Sequence, residues 1–290
     1  MRIVILGAGG RLGAALVREY HREFDVVGLN RAQLDLAKSD KIRSRLSSAQ
    51  FDLLINCAAF TNVDLSESKQ AEAFAVNADA PKVLAEICSE KKAKLIHFST
   101  DYVFDGEKRE PYAEADLAKP ISVYGESKRA GEENIVSLQD RHLVVRVSWV
   151  FGPDRPSFVD AIIKRAQIEE KVEAVADKWS TPTYTGDIAK MLTQFVDVDV
   201  PGGVLHFANS GKCTWQEYAQ HALDCCRVAG MPLKAETVGA VKIADMKDWV
   251  AQRPVYTVLS TGKYAKLTSA IPRSWRDAVA DYIGRFYSKR

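Results

Sequence analysis

The chain opens on a short apolar run, Arg2-Ile-Val-Ile-Leu6, that turns at once into Gly7-Ala8-Gly9-Gly10-Arg11-Leu12-Gly13. The run is long enough for a buried strand, and Leu12, Leu16, Val17 and Tyr20 then recur at helical spacing. A strand, a glycine turn and a helix in that order are the setting in which a dinucleotide-binding fingerprint has meaning. The glycines permit a tight turn and let backbone N–H groups at the helix N-terminus approach a pyrophosphate. Leu12 occupies the sixth position of G-x-G-x-x-G, so that pattern fails; Gly7, Gly10 and Gly13 give G-x-x-G-x-x-G instead. An ordinary strand–helix turn is the competing explanation, and the rest of the chain weakens it.

Apolar runs at 2–6, 25–29, 51–57, 94–98 and 142–147 alternate with helical stretches near 10–22, 39–48, 67–91 and 124–138. That alternation predicts an α/β fold, a Rossmann-type doubly wound parallel sheet wrapped by helices on both faces. Ligands of such sheets lie beyond the carboxyl ends of the strands, where Gly7, Ala58-Ala59, Ser99-Thr100 and Trp149 would fall. From about 150 the pattern is less regular: helix over 158–168, strand over 172–175, helix over 185–197, strand over 204–208, and helices over 214–228 and 274–287. The expected organisation is a dinucleotide-binding domain over 1–150, to which elements near 185–208 return. A smaller α+β substrate lobe, interleaved with it, takes most of 151–290.

Tyr124 and Lys128 lie four residues apart, on one face of a helix. A phenol with a pKa near ~10 exchanges protons poorly at neutral pH, and a nearby ammonium lowers that pKa. A hydroxyl upstream, Ser99 or Thr100, is placed to hold a reacting carbonyl oxygen. Together these groups form the machinery of a carbonyl reductase.

Composition narrows the alternatives. With 40 basic and 38 acidic residues the net charge is +2, so no bulk field draws nucleic acid or an anionic membrane. Lys91-Lys92-Ala93-Lys94, the densest cluster, reads as a helix end. Five cysteines without C-x-x-C spacing fit free thiols, and five scattered histidines offer no metal-ligand set, so no metal is expected. The chain enters its first strand without a signal peptide and has no apolar run near ~20 residues, which predicts a cytoplasmic protein.

Several longer stretches carry a resemblance. They are Asn56-Cys-Ala-Ala-Phe-Thr-Asn-Val-Asp64, Val76-Asn77, His97-Phe-Ser-Thr-Asp-Tyr-Val-Phe-Asp-Gly106 and Pro111-Tyr112 with Glu114. Tyr124–Lys128 with Gly131-Glu132, and Arg146-Val-Ser-Trp-Val-Phe-Gly152, extend them, with weaker echoes in Thr181-Pro-Thr183, Arg253-Pro254 and Trp275. The chain resembles the extended short-chain dehydrogenases/reductases, and among them the dTDP-4-dehydrorhamnose reductase family. The resemblance implies Thr100, Tyr124 and Lys128 as a catalytic triad. It places Gly10-Arg11-Leu12, Asp35-Leu36, Ala59-Phe60-Thr61 and Phe98 around the cofactor, beside Gly7, Gly13, Ala58 and the Tyr124/Lys128 pair. It puts Thr100, Asp101 and Trp149 against a sugar nucleotide, although Trp149 also suits a core aromatic. Two stretches depart from the family pattern. Lys178 and Ser180 stand where Asp-Gln-x-Gly-x-Pro-Thr has glutamine and glycine, and Pro153-Asp-Arg-Pro-Ser157 is unusual.

The implied activity is NAD(P)H-dependent reduction of a 4-keto-6-deoxy sugar nucleotide, foremost dTDP-4-dehydro-L-rhamnose. The rivals are another reductase or epimerase of this fold and a non-catalytic dinucleotide-binding subunit. A homodimer is compatible with the resemblance. At the end of the second strand Asn30-Arg31 replaces the acidic residue that binds a ribose 2′-hydroxyl. Arg31, with Arg11 as a second charge, can pair with a 2′-phosphate, so NADPH is the expected cofactor and NADH a permitted one.

Overall fold

The computed structural model describes residues 1–138, 141–196 and 202–287. Its centre is a six-stranded, wholly parallel sheet. The first half supplies β1 (Arg2–Leu6), β2 (Asp25–Leu29), β3 (Leu53–Asn56), β4 (Lys94–Thr100) and β5 (Leu143–Val147). Strand order from one edge is β2-β1-β3-β4-β5, and a sixth strand from the second half lies beyond β5. The order reverses between β1 and β3, which opens a crevice above their carboxyl ends. Near-continuous burial of β1, β3 and β4 explains why they read as unbroken apolar runs.

Helices α1 (Arg11–Tyr20) and α2 (Ser39–Ser47) follow β1 and β2. The expected helix over 67–91 is instead α3 (Val63–Ser68), α4 (Gln70–Phe74), a π turn over Ala75–Asp79 and α5 (Ala80–Glu90). Pro81 has no N–H to donate to the Asn77 carbonyl, which accounts for the widened turn in front of it. α6 (Val123–Val136) carries Tyr124 and Lys128; Ser122 caps it, its hydroxyl accepting from the Gly125 N–H at 3.3 Å.

The second half adds β6 (Val150–Phe151), α7 (Phe158–Ile168), β7 (Val172–Val175), β8 (Trp179–Ser180), β9 (Thr183–Tyr184) and α8 (Thr185–Thr193). Then come β10 (Gly203–Phe207), β11 (Cys213–Thr214), α9 (Trp215–Val228), β12 (Val238–Val241), α10 (Gly262–Thr268) and α11 (Trp275–Phe286). β10 completes the central sheet against β5. The helix expected over 185–197 ends at Thr193, and position 197 lies outside the described residues. β12, a partner of β7, and α10 have no counterpart in the periodicity reading, because β12 is half exposed and α10 is short.

One core layer packs Leu16 and Tyr20 of α1, and Ile188 and Leu192 of α8, on one sheet face. The opposite layer packs Ile42 and Leu46 of α2, Leu84 and Ile87 of α5, and Ile135 of α6. Separate aromatic and aliphatic cores gather α7, α9 and α11 around Phe151, Tyr218, Trp275 and Tyr282. Lys91 ends α5 and donates to the Ser47 carbonyl, while Lys94 is buried in β4 and donates to the Phe195 carbonyl, so their cluster is not a free cationic patch. All five cysteines are unpaired thiols. No helix among the described residues is long and apolar enough to cross a membrane.

Candidate active site

A cleft of about 850 Å³ lies over the carboxyl ends of β1, β3, β4 and β5. Its floor is the glycine turn. Gly7 sits at φ +75°, and a Cβ there would meet the Ala58 nitrogen at 2.7 Å, so turn and crossover are pressed together. No side chain caps the first turn of α1 at Gly10, which leaves its N–H groups to a ligand. Gly13 does not line the cleft. Its Cβ would fall 2.2 Å from the Gly7 oxygen, so its part is to let α1 lie against the turn.

Every other residue named from the sequence lines the cleft: Gly7, Gly10, Arg11, Leu12, Asn30, Arg31, Asp35, Leu36, Ala58, Ala59, Phe60, Thr61, Phe98, Thr100, Asp101, Tyr124, Lys128 and Trp149. Asn77 fixes the Ala59–Thr61 loop, accepting from the Phe60 N–H at 2.9 Å and donating to the Phe60 carbonyl at 3.0 Å. The fit to a dinucleotide rests on the uncapped helix and the glycine cradle.

Arg11 requires a correction. Its guanidinium reaches across to the next lobe, donating to the carbonyls of Val150 and Arg155, each at 3.1 Å, and of Pro156. All three of its nitrogens are therefore engaged, and it is not a second cation for a 2′-phosphate. Arg31 stays at the rim, its side chain 74% exposed, with Glu72 at 3.4 Å and Asp35 at 3.9 Å.

The expected lowering of the Tyr124 pKa by Lys128 is also not found. Burial pushes the phenol up to about 12, hydrogen bonding to Thr100 offsets this only in part, and Asp101 adds to the rise. Lys128 makes no hydrogen bond to Tyr124; it donates to the Phe98 carbonyl at 2.7 Å and lies 3.2 Å from His97 Nε2. Burial drives this ammonium down to about 8, against the pull of Glu132. The result is a tyrosine that keeps its proton at neutral pH.

Ser99 and Thr100, successive on β4, point to opposite faces. Thr100 accepts from the Tyr102 N–H at 3.2 Å and donates to Asp101 Oδ1 at 3.1 Å, while the buried Ser99 hydroxyl has no partner among the described residues. Asp101 also accepts from Ser148 at 2.9 Å. Burial raises the Asp101 pKa, and Lys178 does most to oppose it. Lys178 is itself buried, bonded to the Pro254 carbonyl and 5.0 Å over the Tyr102 ring. Tyr102 in turn packs edge-on against Tyr124, centroids 5.7 Å apart. Lys178 and Ser180 thus both sit behind the site, since Ser180 bonds Ser148 at 2.8 Å.

Trp149 holds φ +44°, an uncommon conformation for a bulky residue, and packs on Phe158, Trp215 and Tyr218 while one side lines the cleft. The core and cleft readings of this side chain are both correct. Ser99, the alternative hydroxyl, also lines the cleft, as do Cys57, Val76 and Arg155, which were not named as site residues. Cys57 and Val76 lie in stretches that carry the resemblance, and Arg155 in the unusual 153–157 stretch. Among the described residues no cluster of three or more His, Cys, Asp or Glu is arranged to hold a metal.

Residues 1–288 match the family described as the RmlD substrate binding domain. A dTDP-4-dehydrorhamnose reductase of Mycolicibacterium smegmatis is 37% identical over 285 residues, covering 97% of this chain and 85% of that protein. A probable dTDP-4,6-dihydroxy-2-methyloxan-3-one 4-ketoreductase of Streptomyces antibioticus is 35% identical, covering 97% of this chain and 94% of its own length. The crystal structure of dTDP-4-dehydrorhamnose reductase from Bacillus anthracis in complex with NADP superposes with a TM-score of 0.90 at 29% identity, covering 97% of this chain and 98% of that one.

Proposed function

This chain belongs to the RmlD substrate binding domain family, and on that premise we infer an NAD(P)H-dependent reductase of a 4-keto-6-deoxy sugar nucleotide. dTDP-4-dehydro-L-rhamnose is the foremost substrate and NADPH the preferred donor, with NADH accepted. The observation that carries this reading is the meeting of Thr100, Tyr124 and Lys128 in one cleft whose floor is an uncapped helix N-terminus.

When bound, the nicotinamide cofactor supplies the hydride that reduces the sugar's C4 carbonyl. Tyr124 supplies the proton. A phenol held near 12 retains that proton at neutral pH, which suits an acid that must protonate an alkoxide. Thr100 steadies the same oxygen with the proton it now donates to Asp101. Both groups act on charge that appears only in the transition state. Lys128, pinned to the Phe98 carbonyl, holds the cofactor ribose and stabilises the phenolate left after proton transfer. Glycine turn, Ala58–Thr61 and Asn30–Leu36 bind the dinucleotide; Thr100, Asp101 and Trp149 meet the sugar nucleotide.

The division of labour follows the chain. Residues 1–150, with the elements near 185–208, hold the dinucleotide, and most of 151–290 forms the sugar-nucleotide lobe. A cytoplasmic homodimer belongs to the same reading, and light scattering of the purified protein tests the dimer.

Loss of NADPH absorbance with dTDP-linked 4-keto-6-deoxy sugars tests the activity. Turnover with net cofactor oxidation supports reduction. Interconversion of sugars without net oxidation identifies an epimerase, and NADPH binding without either identifies a regulatory subunit.

A further inference from the structure

The loop between β6 and α7 lies across the edge of the glycine turn, and two arginines of α1 hold it there. Arg11 binds the Arg155 and Pro156 carbonyls of the loop and the Val150 carbonyl of β6, and Arg18 pairs with Asp154 at 2.5 Å. The loop returns one cation. Arg155 is exposed, lines the cleft, and donates from Nε to the Gly9 carbonyl at 2.9 Å. Its two Nη groups have no partner among the described residues.

We propose that Arg155 is a ligand of the dinucleotide pyrophosphate, reaching from the sugar-nucleotide lobe onto the glycine turn. The inference rests on the dinucleotide reading of the cleft given above. Three observations carry it. The loop is already anchored without Arg155, so this side chain is not needed as a clasp. Its one bond fixes the guanidinium beside Gly9, next to the uncapped first turn of α1 where a pyrophosphate is favoured. The remaining donors form a fork suited to phosphate oxygens. Arg31 stands at the other end of this edge, beyond β2, so the two arginines address different phosphates. The displacement of Arg11 into the lobe leaves the turn without the cation its own sequence suggests, and Arg155 occupies that role.

Direct binding of NADPH and of NADH, followed by cofactor fluorescence without sugar nucleotide, tests the assignment in the full-length protein. Arg155→Ala should weaken both cofactors about tenfold or more, as loss of a charge-assisted hydrogen bond does, and the loss should shrink at high salt. Arg155→Lys should recover part of the affinity. An unchanged thermal midpoint in both variants shows that the loop remains docked. Weakening of NADPH alone would move Arg155 to the 2′-phosphate and overturn the pyrophosphate assignment. Unchanged affinity for both cofactors would overturn any phosphate contact. Failure of the unsubstituted protein to bind either cofactor would instead overturn the dinucleotide reading of the cleft.

Discussion

Lys128 donates to the Phe98 carbonyl at 2.7 Å, which ties its ammonium to the end of β4 instead of to Tyr124 one helical turn away. His97 stands on its other side at 3.2 Å. Asn56 accepts from the Ala58 N–H through Oδ1 and therefore offers its N–H to His97 Nδ1 at 3.0 Å. A neutral imidazole that accepts at Nδ1 carries its proton on Nε2, facing Lys128. His97 is held neutral by burial and by the Lys128 charge, and a donor facing the ammonium favours its neutral form in return.

A pH dependence follows for Lys128. Its ammonium is complete well below about 8 and lost above it, so cofactor affinity should fall as pH rises through that value. The folded pKa lies below the unfolded one. Between the two the unfolded chain binds more protons, so this residue's contribution to stability rises with pH while binding declines. Titration of NADPH affinity against pH, in the unsubstituted protein and in Lys128→Ala, reads both. Lys128→Ala should lose affinity and rate together and lack the alkaline fall; a loss of rate alone would contradict ribose binding.

Tyr124→Phe removes one oxygen from a packed site. NADPH affinity should stay nearly unchanged, while turnover drops by about 10²–10⁴. Because the phenol titrates near 12, the alkaline limb of the unsubstituted enzyme should not belong to it. Turnover within a few-fold of the original would exclude Tyr124 as the acid.

Lys178 does most to hold the Asp101 carboxylate down against its burial. Replacing it by glutamine should raise the Asp101 pKa further and move the acidic limb of kcat/KM to higher pH. NADPH affinity should change little. An acidic limb that does not move would show that Asp101 is not an ionised partner of Thr100 during turnover.

Arg31→Ala should reduce preference for NADPH while leaving NADH kinetics largely unchanged. Glu72 and Asp35 already compete for the guanidinium, and its exposure screens the contact, so a loss of roughly two- to tenfold is expected. Equal weakening of both cofactors in steady-state assays would remove Arg31 from the 2′-phosphate.

The parallel sheet and the cleft's main residues were legible because they depend on local patterns. Buried strands appear as unbroken apolar runs, a glycine turn precedes an amphipathic helix, and a helical turn puts Tyr124 and Lys128 on one face. The interruption of 67–91 was less visible: Pro81 marks it, but the widened turn depends on one missing N–H among otherwise helical residues. β12 and α10 escaped because a short, half-exposed element leaves little periodicity.

Side-chain direction was another matter. Arg11 sits in the glycine motif and would be read as a cofactor cation, yet carbonyls 139 to 145 residues later in the chain capture it. Lys128 was expected to act on Tyr124, yet it donates to the Phe98 carbonyl, and burial pushes the phenol up. Lys178 looked like a defect in a loop motif and proves to oppose the burial of Asp101. Residue type and spacing state which chemistry a chain carries; where each charge is directed depends on desolvation and on partners brought together from distant segments, and those exist only once the chain has closed on itself.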